Sequence, residues 1–117
     1  MICVILRRDA EGALTECSVK GHAGFAPNGK DIVCAAVTTL VKTSFASLND
    51  SACSVSPVTF TAFGDGEFGF STKQNAASKA RLIYAGDFLQ KGFELLQKDF
   101  PQYLELRIKI TNKPAEA

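Results

Sequence analysis

Histidine occurs once in this chain of 117 residues, at His22, and none of the four cysteines stands in a Cys-x-x-Cys pair. Cys3, Cys17, Cys34 and Cys53 lack metal-ligand spacing to one another and to His22, so neither a metal site nor another cofactor is expected. An excess of charge is also missing. Thirteen Lys and Arg face twelve Asp and Glu, for a net charge of +1. That balance gives no electrostatic footprint for gripping nucleic acid or lying on an anionic membrane, and it argues against direct nucleic-acid binding. No apolar run approaches the roughly 18 residues that a membrane span needs. In MICVILRRDAEG the apolar run is too short, and its basic pair lies on the wrong side, for a signal peptide. A cytoplasmic location is the expectation. Free thiols are the rule there, and Cys3 and Cys17 read as small hydrophobes on neighbouring strands.

What is present suits a globular core. Hydrophobic residues make up 46% and charged residues 21%, which predicts one domain over residues 1–111 and a polar tail over 112–117. Met1 to Leu6 and Ala13 to Lys20 read as strands of a hairpin, with RRDAEG as the turn. Asp31 is a suitable N-cap for a helix over Ile32 to Leu48, a stretch whose one charge is Lys42. So little charge predicts a helix buried on most sides, against the sheet or at an interface. Cys53 to Phe63 reads as a strand, with Pro57 implying an edge position. Gly64-Asp65-Gly66 turns it into a partner over Glu67 to Thr72. Phe60, Phe63, Phe68 and Phe70 make this hairpin aromatic, a core feature before a ligand platform.

Asn75 is a candidate cap for a second helix running to about Asp99 and ended by Pro101, with Gly86 and Gly92 marking close packing. Leu104, Leu106, Ile108 and Ile110 then alternate with Tyr103, Glu105, Arg107 and Lys109, the pattern of a half-buried strand. The order β-β-α-β-β-α-β predicts an α+β fold, a mostly antiparallel sheet packed with two helices.

The segment that carries chemistry is Gly21 to Thr38, GHAGFAPNGKDIVCAAVT. His22 and Cys34 flank a loop too rich in turn formers to be helix or strand, and Cys34 falls in the first turn of the helix that Asp31 caps. Unpaired N–H groups and the positive end of the helix dipole favour a thiolate at such a position. A Cys–His pair in that setting is equipped for nucleophilic catalysis, with His22 as general base and then proton donor. On residue types alone a buried structural cysteine, or a glycine-rich anion cradle, is the stronger reading.

This segment resembles the signature of the bacterial ribosomal-processing cysteine proteases called Prp: Gly-His-Ala, a short glycine-containing loop, then Gly-x-Asp-Ile-Val-Cys-Ala. The resemblance implies a catalytic His22 and Cys34, and it carries the family's glycines and aspartate onto Gly21, Gly29 and Asp31. Thr38 departs from the family's serine, keeping the hydroxyl and adding a methyl. Gly21, Gly24, Gly29, Asp31 and Thr38 are thus the candidate substrate-binding residues, the glycines forming a lid that orders around substrate. Asp31 is expected to cap the helix and anchor the loop; orientation of His22 by Asp31, Asp50 or Asp65 is the rival.

The resemblance further implies a homodimer and, as substrate, the N-terminal extension of ribosomal protein number twenty-seven of the large subunit. Members of the family cut it after a hydrophobic, phenylalanine-containing stretch. Two other functions fit the residues. A ribosome-associated module that binds a peptide or anion would not need Cys34. A thiol redox sensor would use Cys34 without His22.

Overall fold

A computed structural model describes residues 1–22, 26, 31–49, 66–73 and 76–111, together with the backbone of 58–62. Expectations for Gly24, Gly29, Asp50, Cys53, Pro57, Phe63, Asp65, Asn75 and the tail 112–117 lie outside the described residues. The elements are β1 (Ile2–Asp9), β2 (Leu14–Lys20), α1 (Ile32–Leu48), β3 (Val58–Ala62), β4 (Glu67–Thr72), α2 (Lys79–Asp99) and β5 (Leu104–Thr111). The five strands form one sheet in the order β3-β4-β2-β1-β5. Three pairings are antiparallel, and β5 runs parallel to β1. The class is α+β, as the element order predicts.

Alternation places the core. Ile2, Val4 and Leu6 are buried, in register with Leu104, Leu106 and Ile108 on one side, while Val4 and Leu6 face Val19 and Cys17 on the other. Both helices pack there, through Val33, Val37 and Val41 of α1 and Leu82, Leu89 and Phe93 of α2. The opposite face carries Arg7, paired with Glu16 at 3.4 Å, and Glu105, paired with Arg107 at 2.7 Å. The inward set of β5 fades along its length: Leu104 is sealed, whereas Ile110 is 61% exposed.

Three boundaries or burials differ from expectation. The first strand runs on through Arg7, Arg8 and Asp9, because Arg7 meets Glu16 across the hairpin and Arg8 is taken up beneath α2. The turn is correspondingly tight. Asp9 Oδ1 accepts hydrogen bonds from the N–H groups of Glu11 (2.9 Å) and Ala13 (3.0 Å), the self-bonding that suits aspartate to turns.

The second helix begins at Lys79 rather than directly after Asn75; residues 76–78 form a turn, and buried Ser78 takes the N-cap position. β3 is described only over Val58–Ala62, at the sheet edge that Pro57 predicts. Finally, α1 is not buried on most sides within the chain. Val33, Val37, Val41, Ser44 and Leu48 are its buried stripe, and Ile32, Ala35, Thr39, Lys42 and Ala46 lie exposed. Scarcity of charge there is a property of an outward face.

Close approach explains the two helical glycines of α2. A Cβ on Gly92 would lie 3.1 Å from Leu40 Cδ1 of α1, and one on Gly86 would lie 2.7 Å from Arg8 Nε. Both are contacts that glycine alone admits without displacement.

Candidate active site

Two chain segments carry the candidate residues, the exit from β2 and the start of α1. At the exit, Gly21 has φ +96°, in the left-handed region that side chains disfavour. Its N–H donates to the carbonyl of Gly66 at 2.6 Å, tying the end of β2 to the start of β4. A Cβ at Gly21 would lie 2.5 Å from the carbonyl oxygen of Met1, so the first strand also closes on this corner. His22 follows, its side chain exposed. Gly66 lies against its ring: a Cβ there would be 2.6 Å from His22 Nε2 and 3.0 Å from Cε1. In the sequence Gly66 reads only as part of a turn. The contact arises from the pairing of β2 with β4, and nothing in one sequence marks it beyond a glycine placed just ahead of a strand.

At the helix start, Asp31 adopts extended backbone (φ −82°, ψ 105°) and caps α1. Its Oδ1 accepts from the N–H groups of Val33 and Cys34, both at 3.0 Å, and Oδ2 accepts a longer bond, 3.4 Å, from the N–H of Ala26. The carbonyl of Asp31 accepts from Ala35 N–H at 3.1 Å. Asp31 thus both caps the helix and tethers the preceding loop. Cys34 sits in the first turn, half-buried, with one side against the core. Thr38 follows one turn later, also half-buried.

The cap bears on where an oxyanion can be held. The amides of Val33 and Cys34 would be natural donors to an oxyanion. Both are already given to a carboxylate, which repels a second negative charge, so these two N–H groups are not the oxyanion site in this arrangement.

The other described thiols have different surroundings. Cys17 is fully buried, and desolvation, with a smaller contribution from the Glu16 charge, pushes its pKa up to about 12. Cys3 is half-buried on the interior strand β1. Among the described residues no three His, Cys, Asp or Glu side chains are grouped to hold a metal ion, and no helix is long and apolar enough to cross a membrane. A groove of about 510 Å³ lies between α1 and α2 and includes Thr43, Arg81, Tyr84 and Phe88. Thr43 is roughly 14 Å along the helix axis from Cys34, so this groove is not the Cys34 site.

The model of the family described as cysteine protease Prp matches residues 1–105. The chain belongs to that family. Its Bacillus subtilis (strain 168) relative, ribosomal processing cysteine protease Prp, is 29% identical over 116 residues, covering 94% of this chain and 99% of the relative. Among solved structures, the ribosomal processing protease Prp from S. aureus with a covalently linked product peptide superposes with a TM-score of 0.78. It is 18% identical and covers 93% of this chain and 100% of that one. A Streptococcus mutans protein reaches a TM-score of 0.75 at 24% identity, over 95% and 96% of the two chains. These likenesses establish the shared fold. As a cysteine protease of the Prp family, the enzyme needs an accessible thiol with a proton carrier. Cys17 is sealed, whereas Cys34 is half-buried at a helix start.

Proposed function

We propose that this Prp-family protease removes the N-terminal extension of large-subunit ribosomal protein number twenty-seven in the cytoplasm, with Cys34 as nucleophile and His22 as its proton carrier. The observation that carries this reading is the position of Cys34, half-buried in the first turn of α1 and downstream of the only histidine. The B. subtilis relative, named for ribosomal processing, supports the substrate class, and so do S. aureus Prp structures with product and substrate peptides.

In the reaction, His22 takes the thiol proton and the sulfur of Cys34 adds to the scissile carbonyl carbon. The tetrahedral intermediate collapses as the C–N bond breaks, and the imidazolium returns its proton to the departing amine. Water, deprotonated by His22, then displaces the thiolate from the acyl-enzyme. The oxyanion is assigned to donors other than the Asp31-bound amides of Val33 and Cys34. Gly21, Gly24, Gly29, Asp31 and Thr38 are assigned to peptide binding, with Asp31 anchoring the loop to the helix start and Thr38 one helical turn beyond Cys34.

The test uses the native enzyme and the extended ribosomal protein from the same organism. Limiting iodoacetamide at pH 7 is expected to modify Cys34 before Cys3 and to leave Cys17 until last, as mapped by mass spectrometry. Unmodified enzyme should make one defined cut, and enzyme alkylated at Cys34 none. Equal modification of all thiols would remove the case for an activated Cys34. Tight binding of an uncut substrate would replace the protease mechanism with a peptide-binding one.

The reading includes a homodimer. Its support is the outward face of α1 together with Tyr84 and Phe88, 68% and 45% exposed and stacked at 6.4 Å beside the α1–α2 groove. Sedimentation equilibrium should give twice the chain mass at micromolar concentration, and Tyr84→Lys should shift the species to monomer. A wild-type monomer at 100 µM (on the order of the concentrations such an assay reaches) would remove the dimer from the proposal.

A further inference from the structure

The geometry points to Gly66 as a positioning residue for His22: its bare Cα is the seat on which the imidazole rests. Three observations meet at this one residue. Gly66 has φ +74°, its carbonyl accepts the N–H of Gly21 at 2.6 Å, and a Cβ on it would stand 2.6, 3.0 and 3.1 Å from Nε2, Cε1 and Cδ2 of His22. The hydrogen bond fixes the residue before His22, and the missing side chain fixes where the ring can lie. His22 is exposed, so its ring is not caged from all sides, and Gly66 bounds it on one of them.

The consequence for substitution is unusual. Ordinary carbon–nitrogen contact is about 3.5 Å, so a methyl on Gly66 displaces the ring by on the order of 1 Å. An exposed side chain with two torsions swings away at little cost to the fold. Displacement of that size in a reacting group is worth about 10²-fold in rate. Gly66→Asn, which accepts the left-handed backbone better than alanine, therefore separates activity from stability. Gly12 is the natural comparison. It also has positive φ, +96°, but a Cβ there meets nothing nearer than Arg8 Nη2 at 3.5 Å, and it sits at the opposite end of the β1–β2 hairpin from Gly21.

The experiment compares wild type, Gly66→Ala, Gly66→Asn and Gly12→Ala in cleavage of the extended ribosomal protein. Proton NMR of His22 accompanies it, since the single histidine gives the only imidazole signals. The inference rests on the assignment of His22 to the reaction, and the NMR readout is independent of it. Both Gly66 variants should lose about 10²-fold in kcat, with KM within about twofold, and should shift the His22 ring signals. Asparagine tolerates the left-handed region, so Gly66→Asn should recover melting temperature relative to Gly66→Ala without recovering rate. Gly12→Ala should lower the melting temperature and leave rate and ring signals unchanged. Unmoved ring signals in both Gly66 variants, or recovery of rate by Gly66→Asn, would overturn the seat. Shifted signals with an unchanged rate would overturn its part in the reaction. If His22→Ala then also cleaved normally, the failure would lie in the assignment of His22 rather than in the seat.

Discussion

Cys34→Ala is expected to abolish cleavage, a loss on the order of 10⁴-fold or more, because without the sulfur no acyl-enzyme forms. His22→Ala should lose less, about 10²–10⁴-fold, since the thiol retains some thiolate and solvent can protonate the leaving amine slowly. Neither loss should come from unfolding. Cys34 contributes its backbone N–H to Asp31 Oδ1, a bond that alanine keeps, and alanine is the strongest helix former. His22 is exposed and forms no part of the buried core. Thermal unfolding of both variants should therefore match wild type within a few degrees. Groups that act as one unit are not additive, so the double variant should be no slower than Cys34→Ala. Residual cleavage by Cys34→Ala above the uncatalysed rate would place the nucleophile elsewhere and end the mechanism proposed here. Retained peptide affinity in the inactive Cys34→Ala variant is part of the expectation, as alanine removes no binding surface beyond the sulfur.

Local signals made much of this fold legible, and the long-range partners hid the rest. The bounds of α1, Ile32–Leu48, follow from a capping aspartate and an uninterrupted run of helix-compatible residues. The return strand Glu67–Thr72 follows from the glycine turn ahead of it. Strand order does not follow in the same way. That β4 lies beside β2, and β5 parallel to β1, depends on which apolar faces cover one another across the chain. The polarity of Arg7 and Arg8 imitates a turn until partners far along the chain are known. The exposure of α1 shows the converse, because an uncharged helix face states an affinity for burial without stating where the cover comes from.

The site divides along the same line. Asp31 and Cys34 lie three residues apart, and their relation is a local cap readable from spacing. Gly66 and His22 are brought together only by the β2–β4 pairing. The occupation of the Val33 and Cys34 amides by Asp31 follows from the expected cap, and it shows that at this helix start the cap itself is the anion.

The largest expected effect on stability belongs to Arg8, and its proof lies in a reversal of sign at Gly86. Arg8 is only 8% exposed and spends its donors widely. Nε donates to the carbonyl of Gly12 (2.9 Å), Nη1 to Gln90 Oε1 (2.9 Å), and Nη2 to Asp87 Oδ1 (2.6 Å) and the carbonyl of Ile83 (3.3 Å). One side chain thus joins the β1–β2 turn to the middle of α2. Asp87 is 64% exposed, so removing Arg8 strands no buried charge, and the loss falls below that of a fully buried ion pair. Lost hydrogen bonds and lost packing of the arginine stem together put Arg8→Ala at about 2–4 kcal/mol, seen as a lower denaturation midpoint. Gly86 supplies the internal control. In an ordinary helix interior, glycine to alanine gains about 1 kcal/mol. Here the new Cβ would stand 2.7 Å from Arg8 Nε and 2.8 Å from Cζ, and the guanidinium is held by four acceptors and cannot simply move aside. Gly86→Ala should therefore destabilise the wild-type protein by about 1–2 kcal/mol, as overpacking does. In the Arg8→Ala background the obstacle is gone, and the same substitution should become stabilising by up to about 1 kcal/mol. A double-mutant cycle by urea unfolding measures this directly, since two residues in contact must show a coupling that distant residues lack. Equal effects of Gly86→Ala in the two backgrounds would mean that the guanidinium is not held against Gly86, and that α2 is fastened to the sheet by its apolar stripe alone.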